Sequence, residues 1–144
     1  MKERPILFSG PMVNAILEGR KTQTRRVIRN IDGPKAWDSS DETGWPLHKD
    51  GRGRIVCPFG EIGSRLWVRE TWQPTGVSQK LGTQIHYKAG GCEWRKGSMS
   101  VLPNRWRSPI HMPQWASRIT LEVTGVRVER LVWVLTFKRV DNAP

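Results

Sequence analysis

The sequence predicts a small, mainly β, α+β domain: a closed or nearly closed barrel of about five or six strands with one or two short helices. Three observations predict it. Apolar and polar residues alternate over 66–72 and again over 117–123, the period of a strand with one buried face. One stretch, 11–18, repeats apolar residues at i,i+4 as an amphipathic helix does. Glycine-bearing turns at 60–63, 90–91 and 125 separate the runs. With 144 residues the chain has room for a real core in one domain, so 1–144 reads as a single unit.

A strand is expected at Pro5–Phe8. The helix follows, with Ser9 or Gly10 as its cap, Pro11 in its first turn and Gly19 at its end. β-Branched residues after Gly19 suggest a turn running into a strand toward Ile28. Residues 30–53 hold Gly, Pro, Asp, Ser and charges without a period, a long polar loop. In the next strand Leu66, Val68, Glu70 and Trp72 share one face. A short strand at Gln84–Lys88 leads to the Gly90–Gly91 turn, and a Trp-, Arg- and Pro-rich covering loop fills 94–115. From Ser117 on, Ile119, Leu121 and Val123 should point inward and Arg118, Thr120 and Glu122 outward. Gly125 marks a bulge, and Val132–Val140 is the last strand.

Composition narrows the function. No apolar run approaches the roughly 20 residues of a membrane span, and no apolar segment follows the first residues as in a signal peptide. The expectation is a cytoplasmic protein without a membrane partner. Cys57 and Cys92 form no CxxC and have no paired histidines, so they read as reduced thiols; no metal and no cofactor are assigned. The net charge is +11, with 16 arginines to 8 lysines, and there are eight tryptophans. Basic charge among aromatics favours nucleic acid or nucleotide partners. The competing reading places the tryptophans in the core and leaves the charge to solubility.

Three segments hold candidate chemistry. The first is Gly19-Arg20-Lys21-Thr22-Gln23-Thr24-Arg25-Arg26: four cations and two hydroxyls at a helix end, a pattern suited to an anion or nucleotide. Crowding by Arg20, Arg25 and Arg26 should lower the Lys21 pKa, so that its neutral amine can act as a base toward Thr24. Spacing alone favours a solvated basic turn over catalysis. The second is Glu70, set between Val68 and Trp72 on an apolar face. It needs a cationic partner or a proton, so a salt bridge to an arginine and an acid/base with raised pKa fit equally well. The third is Trp106–Trp115, where Trp, Arg and His111 share a loop suited to stacking a base, although tryptophan packing explains it more simply.

The basic segment, together with Gly63 and Leu66-Trp67-Val68-Arg69-Glu70-Thr71-Trp72, resembles the ASCH domain. Arg4–Gly10 and Ser108–Val128 are similar to its phage and prophage branch. The resemblance implies a PUA-like β-barrel with a helix beside a cleft, linked to RNA or modified nucleosides. One branch consists of amidohydrolases of N(4)-acetylcytidine and related N(4)-acylated cytosines. By motif its lysine, threonine and glutamate fall on Lys21, Thr24 and Glu70: Thr24 would attack the amide, Lys21 accept its proton and Glu70 protonate the leaving amine. Substrate binding is assigned to Arg20, Arg26, Arg69, Trp72 and His111. The partner would then be a modified nucleoside or nucleobase. Other members resembling this chain bind RNA or are ribonucleases, so a non-catalytic RNA-binding module is the alternative and a ribonuclease a third, lower-ranked one. The chain departs from the pattern in its polar segment from Asn30 to Gly53, in its Trp-rich loop, and at Arg130-Leu131, which runs directly into Val132 where relatives carry an extra helical segment.

Overall fold

The computed structural model describes residues 2–28, 45, 47, 53–101, 105–129 and 132–140. Most of the polar segment at 30–53 and the 130–131 junction lie outside them. The architecture is mainly β, with one helix and two sheets. Eight strands are present among the described residues: β1 (Arg4–Leu7), β2 (Gln23–Val27), β3 (Arg65–Arg69), β4 (Trp72–Ser78), β5 (Gly82–Tyr87), β6 (Cys92–Arg95), β7 (Thr120–Glu129) and β8 (Val132–Val140). The helix, α1, spans Gly10–Leu17 between β1 and β2.

The five-stranded sheet has the order β1-β3-β7-β8-β2, and β4-β5-β6 form a second sheet. This corrects the single barrel of five or six strands. β1 pairs with β3 in parallel and β2 with β8 antiparallel, so the free edges of β1 and β2 end the large sheet. Across that seam the described contact is a side chain: Arg26 Nη2 donates to the Leu7 carbonyl. The expected strand at 66–72 divides because the chain changes sheets after Arg69. Leu66 and Val68 enter the large core with Ile6, Phe8, Leu121 and Phe137, whereas Trp72 centres a second core with Ile85, Tyr87 and Met112.

β7 and β8 form a long hairpin, with the bulge at Val123/Gly125 that Gly125 predicts. Ile119, Leu121 and Val123 are buried as alternation predicts. Their supposed outward neighbours are not all outward: Thr120 is buried, and the Arg118 side chain is only 8% exposed. The second sheet covers that face. β6 and the 3-10 turns Pro109–His111 and Gln114–Ala116 give order to the expected irregular loop. At Gly82, φ is 93° and a Cβ would sit 2.1 Å from the Arg95 carbonyl oxygen, so only glycine lets β5 approach β6 there.

Candidate functional site

Local hydrogen bonds fix the basic turn. α1 ends at Gly19, whose φ of 75° is left-handed, and the amides of Arg20 and Lys21 both donate to the Ala15 carbonyl, at 2.8 and 3.1 Å. On the far side the Phe137 amide donates to the Thr22 carbonyl at 2.9 Å and ties the turn to β8. The helix thus presents its C-terminal end, whose partial negative charge favours these cations rather than an anionic ligand.

Along β2, Thr24 and Arg26 stand opposite Leu135 and Trp133, two residues of the large core, so both face inward. Thr24 is 5% exposed, and its hydroxyl makes no hydrogen bond among the described residues. Lys21 Nζ donates to the Gln23 carbonyl at 2.8 Å and lies 5.8 Å from the centroid of Phe8. The Arg26 guanidinium lies 5.0 Å from the same centroid, and its Nε is buried without an acceptor. Burial lowers the Lys21 pKa from the ordinary 10.5, with further lowering by the charges of Arg26 and Arg25. Desolvation outweighs the crowding that spacing suggested. Arg20 plays no part in it, being exposed and paired with Glu18. Burial also lowers the pKa of Arg26.

Glu70 reaches the same end of the fold from β3. The Phe8 amide donates to the carbonyl of Arg69, the residue before it, at 3.1 Å. Glu70 lines a cleft of about 440 Å³ at the start of α1 with Ser9, Asn14 and Lys88. Lys21 lines a shallower one of about 420 Å³ on the same helix, and Pro11 borders both. Phe8, which sequence reasoning passed over, is therefore the common neighbour of the basic turn and the glutamate's strand. No hydrogen bond or ion pair joins any two of Lys21, Thr24 and Glu70.

The Glu70 carboxylate is instead held by Arg118: Nε donates to Oε2 at 3.0 Å and Nη2 to Oε1 at 2.9 Å. Arg118 Nη1 donates to the Gly90 carbonyl at 2.9 Å, and its guanidinium stacks 4.2 Å from the Tyr87 centroid. Burial pushes the Glu70 carboxyl above its ordinary range, and the Arg118 hydrogen bonds and charge pull it back only in part. With both oxygens engaged, Glu70 has no proton to donate in this geometry. Of the two readings its position allowed, the ion pair is the one present, and its partner is an arginine that alternation had turned outward.

The assigned substrate-binding residues scatter. Arg69 lies 4.6 Å from the Trp67 centroid, and its Nε is buried without an acceptor. Lys21, Arg26 and Arg69 have no carboxylate partner among the described residues. Trp72 has no exposed surface; its Nε1–H donates to the Ser108 carbonyl at 3.3 Å and Arg107 covers its ring, so no face is free for a base. His111 is exposed in the Pro109–His111 turn, and no described contact joins it to Lys21. Cys57 is buried and Cys92 exposed, both as free thiols. Among the described residues, no group of three His, Cys, Asp or Glu side chains clusters as a metal site would require, and no helix is long and apolar enough to cross a membrane. Comparison with protein-family models, curated proteins and solved structures gave no match.

Proposed function

We infer that this chain is an amidohydrolase that removes an acyl group from the exocyclic nitrogen of a cytosine-type base. One observation carries the chemistry: a desolvated lysine of lowered pKa sits on the turn leading into Thr24, whose inward hydroxyl is unbonded. The identity of the base rests on the resemblance to the ASCH domain. Thr24 Oγ1 attacks the amide carbonyl while the neutral Lys21 amine takes its proton. The orphaned Nε–H of Arg26, two residues along the same face of β2, is the donor proposed for the oxyanion. Collapse of the intermediate breaks the C–N bond, and the Lys21 ammonium returns the proton to the departing amine. Water, deprotonated by Lys21, then cleaves the threonine ester to release the acid. Because Arg118 occupies both oxygens of Glu70, proton delivery is assigned to Lys21, and Glu70 becomes a positioning residue.

A screen of N(4)-acylated cytidines, followed by ultraviolet absorbance, tests this reading; it fails if none of them releases cytidine. The pH profile tests the lysine. Only the free amine is a base, so kcat/KM should rise with pH through the Lys21 titration. Since the folded-state pKa is lowered, the plateau should be reached below 10.5. A profile still climbing past that value would place the base elsewhere.

A second reading has its own observation, the three cations without carboxylate partners. It is an RNA-binding module that meets phosphate with Lys21, Arg26 and Arg69. Its affinity should fall linearly with salt on a log-log plot, with a slope of about −0.7 per phosphate contact for single strands. Turnover of an uncharged nucleoside should change little over the same salt range.

A further inference from the structure

The seam between the free edges of β1 and β2 is a cleft of about 790 Å³, within the roughly 300–1,000 Å³ typical of small-molecule sites. Arg26 lines it, together with Leu7, Val27, Ile55, Val56, Phe59 and Trp133. Leu7, Val27 and Val56 are exposed there at 36%, 67% and 77%. Arg26 itself is fixed by its bond to the Leu7 carbonyl and by Phe8. The space on the other side of the basic turn differs in character: Arg20, Lys21, Thr22 and Gln23 line the cleft along α1.

An N-acylated base has the same asymmetry, a polar heterocycle on one side of its amide and an apolar acyl chain on the other. With Arg26 at the carbonyl oxygen, the heterocycle faces the polar cleft and the acyl chain runs into the seam. We propose that the β1/β2 seam is an acyl-binding channel, and that the substrates are cytosine derivatives with acyl chains of several carbons rather than acetyl. The proposal rests on the amidohydrolase reading and deepens it.

The test compares kcat/KM for N(4)-acetyl-, N(4)-butyryl- and N(4)-hexanoylcytidine with the full chain. Each methylene moved from water into an apolar channel should raise kcat/KM by about two- to fourfold, so hexanoyl should exceed acetyl by at least about tenfold. Val56→Trp, at an exposed position where the fold tolerates bulk, narrows the mouth and should bring the hexanoyl-to-acetyl ratio down toward one. A ratio that is flat or falls with chain length in the wild type, or that Val56→Trp leaves unchanged, overturns the channel and leaves the hydrolase intact. Absence of turnover across the whole series overturns both.

Discussion

Thr24→Ala and Lys21→Ala should each lower turnover of an acylated cytidine by on the order of a hundredfold or more while the protein stays folded. A threonine hydroxyl is a weak nucleophile until a base removes its proton, and Lys21 fits that task because burial and two arginine charges disfavour its protonated form. The double variant should lose much less than the product of the single losses, because the two groups act in one step. Lys21→Arg restores charge but not a titratable amine, so it should be as inactive as the alanine variant. If Lys21 only held phosphate, Lys21→Arg would keep binding and Lys21→Ala would lose it. Steady-state kinetics with circular dichroism on each variant separates the two cases.

The other large effect is on stability. Glu70→Ala leaves Arg118 buried and unpaired, and Arg118→Ala leaves the Glu70 carboxyl in the same state. Side-chain exposures of 2% and 8% make solvent screening small, so each change should cost about 3 kcal/mol. For a chain of this size that is roughly 10 °C in Tm. The two variants should differ in pH dependence. A carboxyl whose folded-state pKa is raised makes the fold most stable below its unfolded value of about 4.5, and that advantage is lost as pH rises through the folded value. Arg118→Ala removes the charge that pulls the Glu70 pKa down, so its deficit should shrink in mild acid and be largest at neutral pH. Glu70→Ala leaves a guanidinium that stays charged, and its deficit should not vary over that range. Replacing both residues by apolar ones should recover much of the loss. Thermal melts between acid and neutral pH, with and without the second substitution, measure all of this.

Much of the frame was legible wherever the pattern is local. α1 follows from Pro11, the i,i+4 stripe and Gly19; β7, its Gly125 bulge and β8 follow from alternation. β4 was hidden because Pro74, Thr75 and Gly76 interrupt any period at the point where its register shifts. β6 was hidden because its four residues are almost all exposed, and strand periodicity records burial. The need of Glu70 for a partner could be read from its apolar neighbours, but the choice of Arg118 could not. That choice depends on a pairing 48 residues apart and on a second sheet covering the face that alternation turned to solvent. Trp72 was misassigned for the same reason: on a one-sheet reading it stands near the site, and the crossing after Arg69 carries it into the other core.

The claim at the centre is that Thr24 becomes acylated, and mass spectrometry of the rapidly quenched protein tests it most directly. Mixed with excess N(4)-acylated cytidine, the wild-type chain should gain the mass of one acyl group. The tryptic peptide from Thr22 to Arg25 should carry it, and Thr24→Ala should never acquire it. Turnover by the wild type without that adduct, or the same adduct on Thr24→Ala, would contradict the assignment and make a lysine-activated water the attacking group.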